Sequence, residues 1–255
     1  MRDIPGFTFN SAPMSAPILR ITTWNLQKCV GLDLRRNPQR SLDVLSDIAA
    51  DLAVLQEADK RLPPRPAALP HDMVEAAGWR ILPFSPVSAG GPSIGWHGNA
   101  MLARPGIRWT ETAQITLPGL EPRGAIRAEL ETPIGPLRVI GVHLGLIRRY
   151  RLQQLAAIRR ALAKLPPRPT LLAGDFNEWG RGSALNHEIR PLTLLPAPPS
   201  FPAPRPLGPL DRIAISAGLR AVTAPRTHLA QPARIASDHL PVVVTLGRDE
   251  TGAVA

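Results

Sequence analysis

Ser237-Asp238-His239-Leu240-Pro241, read with the upstream stretch Gly174-Asp175-Phe176-Asn177, decides the reading of this chain. Each is a short polar cluster set against an apolar, strand-like run. Leu171-Leu172-Ala173 leads into the upstream cluster, and Val242-Val243-Val244 follows the downstream one. A strand end is a rigid place to hold a carboxylate, an amide and an imidazole, the groups that bind a divalent cation and move a proton. More such positions appear further out. Asn25 follows Ile18 to Trp24, Glu57 follows Leu52-Ala53-Val54-Leu55, His143 closes the run 136–143, and Asp211 lies just inside Leu210-Asp211-Arg212-Ile213. One carboxylate at a strand end is ordinary, because Asp caps helices and turns. Several on the same side of a sheet converge on one rim.

The pattern between these points is mixed. Apolar or alternating runs predict strands over 18–24, 51–55, 79–84, 99–103, 107–117, 124–131, 136–143, 170–173, 210–215, 219–225 and 240–246. Leu42, Leu45, Ile48 and Ala49 recur at helical spacing behind Pro38, which suits a first turn, and predict a helix over 38–50. Short helices are expected near 71–77 and 183–189. The clearest helix is 148–165, with Leu152, Leu155, Ile158, Leu162 and Leu165 on one face. Arg148, Arg149, Arg151, Arg159 and Arg160 read as its solvated face, with Arg148 and Arg149, directly after the His143 strand, also placed to reach the cleft rim. A proline-dense loop spans 191–209. With no composition break and no internal repeat, the chain reads as one α/β (α+β) domain over 18–247. A disordered lead is expected at 1–17, with Met14 as an alternative start, and a tail at 248–255.

At 255 residues the chain can bury a substantial core, and its 44% hydrophobic and 20% charged residues are ordinary for a globular protein. The net charge of +10 is not ordinary. Lys28, Lys60 and Lys164 are the only lysines among 30 basic residues, so arginine carries the charge. Guanidinium groups bind phosphate oxygens in a planar fork, which suits a phosphate-bearing substrate, a nucleic acid or a phospholipid headgroup. A bias toward Arg, Ala and Pro, with 30 prolines, accounts for the same numbers. Cys29 is the single cysteine, so no internal disulfide forms, and a small buried residue beside the first strand is expected. No apolar run reaches the ~18 residues of a transmembrane helix. A cytoplasmic monomer is expected.

The residue types suit phosphoester hydrolysis. Mg²⁺ prefers oxygen ligands, keeps several waters, and often uses one or two carboxylates plus substrate phosphate. Glu57 and Asp238 are the natural donors, with Asn25 as a neutral oxygen ligand. His239 paired with Asp211 is a proton carrier whose tautomer the carboxylate fixes. Asp175 and Asn177, two apart in an extended segment, point to one side. One can orient a water while the other donates to a phosphate oxygen.

In chain order the motifs are Thr23-Trp24-Asn25, Leu55-Gln56-Glu57, Gly98-Asn99-Ala100-Met101-Leu102, Val142-His143-Leu144, Gly174-Asp175-Phe176-Asn177, Leu210-Asp211-Arg212-Ile213 and Ser237-Asp238-His239-Leu240-Pro241. Over residues 20–246 this set resembles the endonuclease/exonuclease/phosphatase superfamily. Its members include pancreatic-type deoxyribonuclease, exonuclease III-like repair nucleases, neutral sphingomyelinases and inositol polyphosphate 5-phosphatases. The resemblance implies a four-layer sandwich, two mixed β-sheets face to face with helices outside. It implies that Glu57, helped by Asn25 and Asp238, holds Mg²⁺ or Mn²⁺, and that His239, oriented by Asp211, is the general base. Asp175 and Asn177 would position nucleophile and phosphate, and His143 would stabilise charge on the transition state. In some relatives the Asp175 equivalent is the base. One departure stands out. Deoxyribonuclease-like members pair the His143 equivalent with a glutamate just before the strand that begins here at Asn99, where this chain has His97-Gly98-Asn99 and no carboxylate.

The expected activity is a divalent-metal-dependent phosphodiesterase in which water attacks phosphorus in line. A nuclease-like substrate is preferred over a phospholipid, sphingomyelin or inositol phosphate, although Tyr150 is the only tyrosine and base-stacking platforms are sparse. A non-catalytic binding module that keeps the fold is the reading from another class. Arg123, Asn99, His97 and Trp179 are candidate substrate contacts, and Trp96 a further one. Trp24 reads as core, and His71, His187 and His228 as surface residues.

Overall fold

The computed structural model describes residues 16–59, 66–84, 92–180 and 183–249. In chain order the first half comprises β1 (Leu19–Asn25), α1 (Pro38–Ile48), β2 (Leu52–Gln56), α2 (His71–Ala76), β3 (Arg80–Ile81), β4 (Ala100–Ala103), β5 (Arg108–Thr116) and β6 (Gly124–Thr132). The second half comprises β7 (Gly135–His143), α3 (Arg148–Leu162), β8 (Thr170–Asp175), α4 (Ser183–Glu188), β9 (Thr193–Leu194), β10 (Asp211–Ile215), β11 (Leu219–Ala221), β12 (Arg226–Thr227), α5 (Ala233–Ala236) and β13 (Val242–Arg248). One sheet runs β11-β13-β1-β2-β4-β3, with β12 also beside β13, and the other runs β5-β6-β7-β8-β10-β9.

Both sheets are mixed for the same reason. Each has one parallel pair, β1 with β2 and β7 with β8, and a parallel pair needs a crossover long enough for a helix. α1 and α3 supply those crossovers, and every other strand pairing among the described residues is antiparallel. α1 begins where the Asn37 side chain accepts from Arg40 N at 3.1 Å and Pro38 takes a first-turn position. It ends at Ala49, left-handed at φ 52.

Strand alternation sorts the apolar residues into three cores. Ile21, Val54, Met101 and Val244 of one sheet meet Ile126, Val139, Leu171 and Ile213 of the other in the space between them. Trp24, Leu55 and Val243 face the opposite way onto Leu42, Leu45 and Ile48 of α1. Ile140, Val142 and Leu172 do the same against Leu155 and Ile158 of α3. The result is the four-layer sandwich, helix, sheet, sheet, helix. Truncating an inter-sheet residue such as Ile213 to Ala costs about 2–5 kcal/mol.

Several sequence expectations shift. The strand expected over 79–84 pairs only at 80–81, the one over 219–225 only at 219–221, and the helix over 148–165 stops at Leu162. Ala49 is exposed, and Val44 takes its place on the buried face of α1. Arg151 is not on a solvated face; it is 6% exposed and holds loop carbonyls. Trp24 is buried, as is Cys29, whose thiol burial pushes up to about 11 against the Ser41 hydrogen bond and Arg36, leaving it protonated and unreactive near neutral pH. His228 is not a free surface residue, since its Nε2 lies 3.0 Å from Asp47. β13 reaches Arg248, one residue beyond the expected domain limit, and the lead expected at 1–17 falls outside the described residues except for its last two. Among the described residues no helix is long and apolar enough to cross a membrane.

Candidate active site

The alternation that fills the inter-sheet core also builds the site. Ile21, Val139, Ala173 and Ile213 point inward, so the next inward positions on the same strands are Asn25 (past Thr23), His143 (past Gly141), Asp175 and Asp211. These lie at the same end of the two sheets. Register sets them side by side, with His143 beside Asp175 on the parallel ladder and Asp211 opposite Asp175 on the antiparallel one. Gly174 makes that pairing possible, since a Cβ there would sit 1.9 Å from the Val142 carbonyl oxygen.

Backbone strain gathers at this end. Gln27, Lys28, Glu57, His97 and Asn177 are non-glycine residues with φ between 47° and 58°. All of them line the cleft or its adjoining lobe. Left-handed backbone at such residues costs on the order of 1 kcal/mol each, and it is held here by surrounding hydrogen bonds. Lys28 N donates to Glu57 O at 3.1 Å, and Asn177 N donates to Asp175 Oδ1 at 2.8 Å.

The polar groups form one connected network. Ser200 Oγ donates to Asp211 Oδ2 at 2.6 Å, and the same oxygen lies 2.8 Å from His239 Nδ1, so His239 Nε2 is left facing the cleft. Nε2 is 3.8 Å from Asp175 Oδ2. That oxygen also accepts from Asn25 Nδ2 at 3.1 Å and lies 3.4 Å from His143 Nε2. Asn177 Nδ2 donates to Leu144 O at 2.8 Å. Ser237 Oγ donates to Asn25 O at 2.7 Å and accepts from His239 N at 3.1 Å, tying the segment before β13 to the end of β1.

Burial and neighbours set the protonation of this network. Burial lifts the Asp175 carboxyl, the Asp211 charge lifts it further, and His239, Asn177 and Asn25 oppose them, leaving it at about 6. Burial works against the His239 imidazolium, but the hydrogen-bonded Asp211 carboxylate, with Asp175 and Asp238, outweighs it and holds the ring at about 9. Burial raises Asp238 as well, His239 draws it down, and the Glu57 charge raises it again.

Glu57, Asp238 and Asn25 line a cleft of about 460 Å³, room for a phosphoester with its flanking groups. Among the described residues no three His, Cys, Asp or Glu side chains form a closed cation cage. The donors here are two carboxylates and an amide oxygen, the sparse oxygen set that suits a hard cation completed by water and substrate. The mutual charge of Glu57 and Asp238 also favours a cation between them. The Lys28 ammonium pairs with Glu57 Oε2.

Most of the residues singled out in the sequence meet here. Asn25, Glu57, His143, Asp175, Asn177, Asp238 and His239 line the cleft, with Asp211 buried behind His239. Trp179 and Arg123 line it too, and His97 lines the adjoining lobe. Arg123 is held by Glu121 at 2.7 Å. Asn99 does not reach the cleft. It is 1% exposed, and its Nδ2 donates to Gly124 O at 2.9 Å, joining β4 of one sheet to β6 of the other. Trp96 likewise packs against Gly124 and the inter-sheet core instead of offering a substrate surface.

The sequence reading missed Lys28, Gln27, Ser200 and Phe201. Gln27 Oε1 accepts from Asp238 N at 2.9 Å, and the Phe201 ring lies 4.8 Å from the His239 ring. A lysine three residues past a motif, in a chain with three lysines, was the one available signal. Ser200 and Phe201 sit in a proline-dense loop whose composition says nothing of where it folds back.

With this geometry in place, residues 22–239 match the Endonuclease/Exonuclease/phosphatase family, and the chain belongs to it. The Escherichia coli (strain K12) protein YbhP, described as uncharacterized, is 33% identical over 161 residues, covering 58% of this chain and 62% of YbhP, so the match spans less than two thirds of that relative. An endonuclease/exonuclease/phosphatase from Beutenbergia cavernae DSM 12333 superposes with a TM-score of 0.70 at 21% identity, over 94% of this chain and 74% of that one. TDP2 of D. rerio, in complex with a single-strand DNA product, gives 0.66 at 16% identity, over 90% and 99%. At these identities the two structures share the fold.

Proposed function

We propose that the protein is a divalent-cation-dependent phosphodiesterase, using Mg²⁺ or Mn²⁺, in which water attacks phosphorus and the P–O bond to the leaving group breaks. The observation that carries this reading is the Ser200–Asp211–His239 relay facing Asp175 across 3.8 Å in a cleft that also holds Glu57, Asp238 and Asn25. When bound, the cation would be held by Glu57, Asp238 and Asn25 and would supply charge stabilisation on the phosphoryl oxygens.

The chain's own residues account for the rest. Asp211 holds Nδ1 of His239, so Nε2 is the nitrogen that faces the attacking water, and it takes the water proton when the ring, held at about 9, is in its neutral form. The Asp175 carboxyl, lifted to about 6, faces the same space 3.8 Å from His239 Nε2, so Asp175 and His239 act as one proton-accepting pair. Asn177, its backbone fixed by Asp175 and its amide anchored on Leu144 O, orients the phosphoryl group. His143, adjoining Asp175, places an N–H where negative charge grows on the leaving side. Phe201 and Trp179, packed edge-on at 5.8 Å, shield the outer face of His239 from water.

Hydrolysis of bis-p-nitrophenyl phosphate by the full chain, with Mg²⁺ or Mn²⁺ and then with EDTA, tests the proposal. Cation-dependent release of p-nitrophenol is expected, and a rate untouched by EDTA refutes it.

A further inference from the structure

The connections that enter and leave the strands at the cleft end carry nearly all the large apolar side chains that stand exposed. Among the described residues only Ile18 and Val222 lie elsewhere. Leu34 follows β1 at 86% exposure, Leu120 joins β5 to β6 at 77%, Leu146 and Ile147 follow β7, Trp179 follows β8, and Leu207 precedes β10. Single exposed leucines are ordinary, but so many on the loops at one end of the sandwich, with Leu146 and Trp179 lining the cleft itself, are not.

These side chains are held out by built structure. The buried Arg151 donates to Gly145 O at 3.3 Å and Leu146 O at 2.6 Å and pairs with Glu178 at 2.9 Å. Arg212 donates to Glu178 O at 2.9 Å and Gly180 O at 2.5 Å. Two buried guanidinium groups thus lock the backbone on which Leu146 and Trp179 project.

Charge accompanies the apolar tips. Exposed Arg35 follows Leu34, exposed Arg148 and Arg149 follow Ile147, and exposed Arg205 precedes Leu207. The carboxylates on these loops outside the cleft are already engaged, Asp33 by Arg40, Glu121 by Arg123 and Glu178 by Arg151. This end of the sandwich is therefore apolar at its loop tips and positive between them.

We propose that this rim is a docking face for an anionic phospholipid surface. The leucine and isoleucine tips enter the interfacial layer, the arginines pair with lipid phosphates, and the cleft opens onto the headgroups. A nucleic acid fits this face less well. Aliphatic tips give bases nothing to stack on, and Trp179, the one aromatic tip, is packed edge-on against Phe201. The proposal takes its orientation from the hydrolytic cleft but needs no hydrolysis.

Co-sedimentation of the full chain with vesicles of phosphatidylcholine plus phosphatidylglycerol, against phosphatidylcholine alone, tests it. The His239→Gln protein is used so that the lipid stays intact. Binding to the anionic vesicles alone is expected, weakened about tenfold by Ile147→Ser with Leu207→Ser at an unchanged melting temperature. Arg148→Glu with Arg149→Glu weakens it as well. A folded protein that stays in the supernatant overturns the proposal, as does binding indifferent to the Ile147 and Leu207 changes. So does capture of a single-stranded oligonucleotide that those changes abolish. A phosphodiesterase that ignores vesicles refutes the docking face alone, and a vesicle-binding protein that hydrolyses no ester refutes the enzymatic reading alone.

Discussion

Replacing Asp211 by Asn keeps the shape of the relay and removes its charge. Asp211 is fully buried, and one of its oxygens serves both Ser200 and His239. Its carboxylate is the largest influence holding His239 at about 9 against burial, from an ordinary value of 6.5. At about 1.4 kcal/mol per pH unit, the folded state favours the imidazolium by roughly 3 kcal/mol. Because the folded value is the raised one, that stabilisation is complete below the ordinary imidazole value and is lost as pH climbs through about 9. Asp211→Asn should therefore destabilise the cation-free protein by about 3 kcal/mol near pH 6 and by far less near pH 10. Urea unfolding in EDTA at the two pH values measures this, and the imidazole proton resonance of His239, assigned with His239→Gln, gives the titration directly. An equal loss at both pH values refutes the argument, as does a wild-type His239 that titrates near its ordinary value.

Lys28→Met removes the ammonium that occupies Glu57, a partly buried pair worth about 1 kcal/mol, so Mg²⁺ binding by calorimetry should tighten about fivefold. Unchanged or weaker binding would show that Lys28 does not compete for that carboxylate. Arg151→Met leaves two loop carbonyls and Glu178 without their donor and should cost about 2–4 kcal/mol in thermal unfolding, while the exposed Arg148→Met costs less than about 0.5 kcal/mol. Similar melting temperatures for the two would contradict the packing described. Gly174→Ala forces a Cβ into the Val142 carbonyl and should separate β7 from β8, seen as a melting temperature lower by several degrees and loss of turnover together. A stable, active Gly174→Ala protein would be inconsistent with the close approach of those strands.

What could be read from the residues follows what periodicity can carry. β1, β2, β7 and β8 are buried β-branched and leucine-rich runs, and their ends gave Asn25, Glu57, His143 and Asp175 directly. The two-residue strands β3, β9 and β12 are edge pairings, fixed by their neighbours and too short to show alternation. Arg151 misled because arginine spacing on α3 looks like a solvated face, while the carbonyls that bury it come from the β7–α3 loop. Asn99 stood in a true motif, but its strand position points it at Gly124 across the sheets and away from the cleft. Ser200 and Phe201 reach the site only because the long loop before β10 folds back over His239, a tertiary fact with no local pattern.

The most direct test of the central claim is the turnover of bis-p-nitrophenyl phosphate in Mg²⁺ by the wild type, His239→Gln and Glu57→Gln, measured side by side on folded proteins. A cation-assisted phosphodiesterase built on these residues predicts wild-type turnover and a kcat at least about a hundredfold lower in each variant. Wild-type rates in either variant, or no Mg²⁺-dependent turnover in the wild type, would contradict it.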